Sequence, residues 1–282
     1  KSPDINEPVN RGTIEETFDF IIEDLETALN HLPDRADFIT RPSKLAAHAM
    51  LSRVFLYIGD YGKSLAHSES ALSLKSELLD YNLLQTSALY SFNLENPEII
   101  FYNEMISYSW MSSTMSFVNP EIYASYGEAD LRRNVFFRNR GFGINFTGNY
   151  TGNFTLFTGL AIDEVIMNQV ECLVRLNRHS EAETALLNLL ESRFAEGSEI
   201  TLSYENEIDF LQLVLLERRK QLLYRGIRWA DLKRLNAEGL FQKTLEREVM
   251  GTSYNLPPND LRYAIQIPPE EIGASNIQQN PR

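Results

Sequence analysis

Cysteine occurs once in the 282 residues, at Cys172, so no disulfide closes within the chain. It falls in an apolar helical stretch, where a buried structural thiol is expected rather than redox chemistry. Basic residues are also short: 26 Lys and Arg face 39 Asp and Glu, for a net charge of −13. Such a surface repels phosphate backbones and anionic headgroups, which argues against a nucleic-acid partner. No apolar run approaches the roughly 20 residues of a membrane helix. His31, His48, His67 and His179 are scattered, without H-E-x-x-H or other ligand spacing, so no metal is expected. His48 and His67 can meet across the second and third helices as an ordinary polar pair. A G-x-S-x-G elbow, a Walker loop and a dinucleotide fingerprint are missing, and no cofactor is expected. The acidic pairs Asp163/Glu164 and Glu270/Glu271 lie on helices or in the tail, whereas a glycosidase needs carboxylates opposed across a cleft. The chain begins at Lys1 without initiator Met, signal peptide or N-terminal Cys for lipid attachment, which reads as a mature or trimmed form.

What is present is apolar residue in helical register, 43% hydrophobic overall and enough for a sizeable core. Thr13-Ile14-Glu15-Glu16 is a capping box. The helix it opens carries Ile14, Phe18, Ile21, Leu25, Ala28 and Leu32 on one face, and Pro33 stops it. A second helix is expected over about 43–58, with Leu45, Ala49, Val54 and Leu56 apolar, then a Gly59-Asp60-Tyr61 turn and a third helix to about Leu74. Ser64, Ser68 and Ala71 are the small residues that let two helices approach, as in a tetratricopeptide unit. A related pair spans 161–176 and 181–193 around Asn177-Arg178-His179, with Ala182 and Ala185 on its second helix. The two turns lie about 118 residues apart, against roughly 34 in a true array. The expected fold is therefore mainly α: helical hairpins packed in a single domain over 1–282, with long irregular loops and a few short strands.

The stretch 217–235 looks like part of one long helix. Leu211, Leu215, Arg218, Leu222, Arg225, Trp229 and Leu232 alternate by fours and threes and share a face. Arginines on a core-facing stripe require carboxylate or carbonyl partners. Gly226 in mid-stripe predicts a bend or a close backbone approach. The residues read as a structural girdle, with anion binding as the functional alternative.

Aromatic density outside helical register concentrates at 102–157. Tyr102, Tyr108, Trp110 and Phe117, with Asn103 and Glu104 beside them, have the composition of a carbohydrate site, in which rings stack on apolar sugar faces and polar groups meet the hydroxyls. Loop aromatics anchoring themselves to the core are the structural alternative. Residues 145–155 repeat Asn-aromatic-Thr three times at a four-residue step, Tyr150 in the second copy, and predict a glycine-punctuated hairpin or loop that lines a ligand surface, forms a lid or decorates the exterior. The same copies are Asn-x-Thr acceptors, meaningful only in a eukaryotic secretory host.

The 217–235 stretch resembles the C-terminal signature of SusD/RagB-family surface nutrient-binding lipoproteins of Bacteroidetes. Glu217, Arg218, Arg219, Leu222, Gly226, Arg228, Trp229, Asp231, Leu232, Lys233 and Arg234 carry the match. Gln221 and Arg225 depart from it, standing where the family usually places acids. Residues 13–32, 96–101, 119–133, 267–272 and 276–281 resemble further family segments in the right order. The N-terminal helical segment that precedes residue 13 in relatives has no counterpart here. The resemblance implies a SusD-like fold, with helical hairpins at 13–75, a loop-rich ligand region at 96–157, a hairpin and signature helix at 161–236 and an irregular tail at 237–282. It implies a non-enzymatic protein at the extracellular face of the outer membrane, held by a lipid anchor, that binds an oligosaccharide and delivers it to a SusC-like TonB-dependent transporter. A tetratricopeptide-type protein–protein adaptor is the competing class, and an α-helical glycoside hydrolase the third.

Overall fold

Local signals set the helix ends. The Thr13 hydroxyl accepts from the Glu16 amide at 3.0 Å, and Glu16 Oε2 accepts from the Thr13 amide at 2.7 Å, completing the capping box. A computed structural model describes residues 11–106, 115, 117–141, 143–275 and 277–282. Its first helices are α1 (Ile14–Leu29), α2 (Lys44–Ile58) and α3 (Tyr61–Leu74). Strand β1 (Ile99–Phe101) precedes the short helices α4 (Pro120–Ala124) and α5 (Arg132–Val135). Strands β2 (Phe137–Asn139), β3 (Ile144–Phe146) and β4 (Leu160–Ala161) follow. Then come α6 (Ile162–Arg175), α7 (His179–Glu191), α8 (Glu207–Gln221) and α9 (Arg228–Glu238). The hairpin β5 (Leu245–Val249) and β6 (Thr252–Leu256) and the helix α10 (Pro269–Ser275) complete the chain. The strands pair antiparallel as β1–β4, β2–β3 and β5–β6. The fold is mainly helical with small sheets, and among the described residues no helix is long and apolar enough to cross a membrane.

The chain divides into two compact units, Asp24–Arg228 and a second that joins Trp229–Arg282 to the residues up to Glu23. In the larger unit α2 and α3 form the expected hairpin. Gly59, at φ +84, ends α2 in the left-handed conformation that glycine alone adopts without strain, and the Asp60 carboxylate caps α3 through the Lys63 amide at 3.0 Å. The small residues of α3 do meet α2 closely: Ser64 donates to the Ser52 carbonyl at 2.8 Å, and the Ser52 and Ser68 hydroxyls lie 2.7 Å apart. Asn168 of α6 donates to the same Ser52 hydroxyl at 3.0 Å, tying the second hairpin to the first. Cys172 is buried on α6.

Beside the helices lies an aromatic core built from Tyr81, Phe92, Phe136, Phe146, Tyr150 and Phe157. The repeat at 145–155 feeds it. Asn145 pairs with Arg138 in the β2–β3 ladder, and the chain from Asn145 to Thr151 is buried. Gly148 leaves no room for a side chain, since a Cβ there would lie 2.4 Å from the Phe136 ring. This overturns the lid and surface readings for the first two copies: their aromatic side chains fill the interior, and their Asn and Thr groups lie buried with them.

Two expectations about helices also change. The stripe through 211–232 is not one helix. Helix α8 ends at Gln221, Tyr224 and Gly226 take φ of +59 and +76, and α9 restarts at Arg228. The stripe continues in sequence because side-chain period does not register a local reversal of the backbone. The bend expected at Gly226 is the second of those left-handed residues. No residue of α1 is buried, and Ile14 is 76% exposed, although its apolar residues keep their helical spacing.

In the smaller unit Trp229 lies against Tyr263, ring centroids 4.9 Å apart, and its indole N–H donates to the Tyr263 carbonyl at 3.3 Å. Asp231 accepts from Arg234 at 2.9 Å one turn on. Gln279 clamps the strand-like tail by accepting from the Ile267 amide and donating to its carbonyl, each at 2.9 Å.

Candidate functional site

Two layers surround the loop-rich region. The inner layer is ionic and closed. Arg132 donates to Asp130 and Glu217, each at 2.7 Å, and Lys220 reaches Glu217 at 2.7 Å and Asp130 at 3.0 Å. Burial works against the Asp130 charge, but Arg132 and Lys220 outweigh it and hold the carboxyl below its usual range. Arg193 donates to Glu98 at 2.7 Å, Arg225 to Asp163 at 3.2 Å, and Arg218 to Asn168 at 2.6 Å with Glu171 at 3.9 Å. The partners demanded for Arg218 and Arg225 are thus supplied by α6. Gln221 works from both ends of its amide: it donates to Asp163 at 2.9 Å and accepts from Arg193 at 3.2 Å. Its neutrality suits that place, because an acid there would oppose Asp163.

At the centre of this layer, the Tyr150 hydroxyl lies 2.9 Å from Glu98 Oε2, 3.0 Å from Asp163 Oδ2 and 3.0 Å from the Tyr81 hydroxyl. These three oxygen–oxygen contacts have only two hydroxyl protons to fill them. The third calls for a proton on a carboxyl. Glu98 is the carboxyl whose affinity for a proton is raised, by burial first and by Asp163, against the pull of Arg193. Burial likewise pushes the Tyr81 hydroxyl up to about 12. Tyr150, 1% exposed, belongs to this layer and offers no ring face to a ligand, which removes it from the glycan candidates.

The outer layer is open. Strand β1 runs from Glu98 directly into Tyr102, Asn103 and Glu104. The Tyr102 hydroxyl donates to Glu104 Oε2 at 2.9 Å, and the Thr155 hydroxyl lies 2.8 Å from the same oxygen. Burial and this acceptor raise the Tyr102 phenol to about 12. The backbone of Asn103 is fixed by Thr158, whose amide donates to the Asn103 carbonyl at 2.9 Å, while the Asn103 side chain is exposed. Gly159 permits this crossing, since a Cβ there would stand 2.0 Å from the Phe101 carbonyl. Phe154, next in the chain to Thr155, is exposed.

Phe117 forms a second piece. It is 54% exposed, bridges to Asn145, and accepts from the Tyr224 hydroxyl at its carbonyl at 3.1 Å. Tyr224 stacks on Phe146 at 4.8 Å. The structure therefore joins Tyr102, Asn103 and Glu104 with Thr155, and Phe117 with Tyr224, as two pieces on the rim of one aromatic core. Tyr108 and Trp110 lie outside the described residues. Thr155 and Tyr224 were missed as site residues. Their contacts cross 51 and 107 residues, a distance over which sequence carries no local signal. Of the signature residues, Glu217 and Arg218 are ionic anchors, Arg219 and Arg228 are half-buried, Gly226 makes the turn, and Trp229 and Asp231 start α9.

A cavity of about 460 Å³ opens elsewhere in this unit beside Asp80, Asn82, Phe194, Glu196 and Ser198. It contains none of the expected site residues. Among the described residues no group of three His, Cys, Asp or Glu is arranged to hold a metal ion.

These features define a helical scaffold of tetratricopeptide-like hairpins that presents a polar and aromatic rim on a buried ionic core. Solved structures share that fold. A SusD-like carbohydrate binding protein from Bacteroides vulgatus is 17% identical, with a TM-score of 0.71 over 96% of this chain and 66% of its own. A SusD superfamily protein from Bacteroides thetaiotaomicron is 20% identical, with a TM-score of 0.73 over 99% and 69%. A SusD-like protein from Bacteroides fragilis is 18% identical, with a TM-score of 0.72 over 99% and 73%. The chain spans about two thirds of the length of the first two. Residues 1–56 match the SusD-like family model described as starch-binding associating with outer membrane. No curated protein matches the chain. The chain is thus similar to the SusD-like family model over residues 1–56 and shares its fold with these SusD-like structures.

Proposed function

We propose that this chain binds a glycan without altering it, at the rim formed by Tyr102, Asn103, Glu104, Thr155 and the exposed ring of Phe117, with Tyr108 and Trp110 kept as candidate ligand residues on composition alone. The observation that carries this reading is the Tyr102–Glu104–Thr155 triad. The Tyr102 hydroxyl donates to Glu104 Oε2, and the Thr155 hydroxyl, whose one proton is shared between that oxygen at 2.8 Å and Asn153 Oδ1 at 2.6 Å, lies beside it, which leaves Glu104 Oε1 to accept a sugar hydroxyl. Stacking on rings supplies most of the affinity and the polar groups set orientation. The carbohydrate-binding name of the B. vulgatus structure and the starch-binding description of the family model support the ligand class. By the same resemblance the protein works at the outer membrane, lipid-anchored on the extracellular face, and hands its oligosaccharide to a TonB-dependent transporter.

Isothermal calorimetry against a panel of oligosaccharides tests the site. Trp110→Ala is expected to abolish measurable binding, and Glu104→Gln to weaken it about three- to ten-fold, the value of one hydrogen bond. Binding of peptides but of no glycan would replace this reading with the adaptor, and release of shorter sugars on incubation would make the chain an enzyme.

A further inference from the structure

Both chain segments of the Tyr102–Glu104–Thr155 rim leave directly from the buried ionic layer. Glu98 stands immediately before β1, which runs into Tyr102, Asn103 and Glu104. Tyr150 stands immediately before the loop 151–155 that carries Thr155. At these starting points the Tyr150 hydroxyl meets Glu98 Oε2 at 2.9 Å. Downstream the segments cross: the Met105 amide donates to the Leu156 carbonyl at 2.8 Å, and the Thr158 amide to the Asn103 carbonyl at 2.9 Å. The loop is closed by its own bonds. Thr151 donates to the Thr155 carbonyl at 2.8 Å, Asn149 to the Asn153 carbonyl at 3.0 Å, and the Thr155 amide to Asn153 Oδ1 at 2.7 Å. A loop tied to itself moves as one piece, so the place of Thr155 beside Glu104 depends on the anchor at Tyr150 and on the crossing.

The anchor depends on where its protons sit. Facing Glu98 are Tyr150, Tyr81, Asp163 of α6, Arg193 after α7 and Lys75 at the end of α3, with the Leu79 amide on Oε1 at 2.9 Å. Arg225 stands behind Asp163, 3.2 Å from its Oδ1. The Tyr150 hydroxyl touches both carboxyl groups and has one proton. With Tyr81 donating to it, both contacts are satisfied only while one carboxyl keeps a proton of its own. Once both are ionised, Tyr150 donates to one and turns a lone pair on the other, a repulsive contact in a site closed to water.

We propose that this shared proton latches the glycan rim: while Glu98 holds it, Tyr150 seats the loop 151–155 against Glu104, and when it leaves to solvent at higher pH the crossing opens and the glycan is held less tightly. The release step rests on the proposed glycan site, whereas the latch itself is testable without a sugar.

Amide hydrogen exchange in the whole chain, taken as protection factors over a series rising from pH 4.5, makes that test. Met105 and Thr158 donate the two crossing bonds. Their protection is expected to fall about ten-fold as Glu98 titrates, the value of one hydrogen bond, and to drop below the limit that urea unfolding sets at the same pH. Glu98→Gln keeps a neutral donor toward Tyr150 and an acceptor toward Arg193, and should hold the higher protection throughout. Tyr150→Phe removes the latch and should show the lower protection at every pH, with melting curves confirming that both variants fold. Parent protection that is flat with pH, that equals the urea limit at every pH, or that falls equally in Glu98→Gln overturns the latch. Calorimetry with the oligosaccharide panel at the two ends of the series reads the consequence: weaker binding by the parent at the higher pH, and equal binding at both by Glu98→Gln. No glycan binding at either pH removes the glycan site, and the release step with it, whatever the exchange shows.

Discussion

At the scale of single residues, proton placement decides most. Glu98 is fully buried, and its raised pKa means that the folded state holds a proton the unfolded chain gives up. Its contribution is full below the ordinary glutamate value of 4.5 and is lost as pH rises through the folded value. Glu98→Gln mimics the protonated form, so thermal melts in a series rising from pH 4.5 should show the variant losing less stability with increasing pH than the parent. Tyr150→Phe removes the hydroxyl that Glu98 and Asp163 share, and should cost about 1–3 kcal/mol in denaturant melts. His67 acts in the opposite sense. Burial, then His48 and Lys63, lower it from 6.5 to about 4, so stability is full above pH 6.5 and falls as pH drops toward 4. His67→Gln should flatten that acid limb, which urea titration between pH 4 and pH 7 would measure. The His48–His67 meeting itself, Nδ1 to Nδ1 at 2.9 Å, follows from the pairing of two helices that sequence made plain. The Glu98 cluster could not be read that way. Its members come from the turn before β1, the 145–155 repeat, α6, α8 and the Arg193 turn, and no spacing links them.

At the scale of elements, legibility followed the range of the forces. Helices α2, α3, α6 and α7 were readable because caps, turns and small-residue contacts are local: Gly59 and Asp60 end one helix and start the next within two positions. The 145–155 repeat was readable as irregular and misread as superficial, since nothing within it states that Phe136 covers Gly148. The α8–α9 break was half readable. Gly226 announced it, but Tyr224 at φ +59 did not, because a tyrosine there is held by its stack on Phe146 and its bond to Phe117 rather than by its own preference. Gly226→Ala meets only ordinary contacts, Thr158 at 3.6 Å and Met105 at 3.7 Å. Its expected cost is therefore the left-handed backbone alone, about 1–2 kcal/mol, read as a shift in the urea midpoint with an unchanged slope.

At the scale of the whole molecule, the charge balance of −13 and an isoelectric point near 4.9 predict a solubility minimum close to that pH, measurable as light scattering across a pH series. Binding of a neutral oligosaccharide should change little between roughly 0.05 and 0.5 M salt, where a ligand held by surface charge would weaken markedly. The fold class and the family resemblance were legible because five weak segments fell in order along the chain. The site was legible only as a composition of rings and amides, since its assembly depends on which distant strands cross. The ionic layer has a consequence for anyone recombining this scaffold. Helix α8 offers Glu217, Arg218, Lys220 and Gln221 to Arg132, Asn168, Asp130 and Asp163 at once. Sliding it by one position would swing every tooth of that key by about 100° and strand each charge away from its mate. A chimera that imports this helix from another scaffold must therefore import the opposing acids with it, or the graft will not seat.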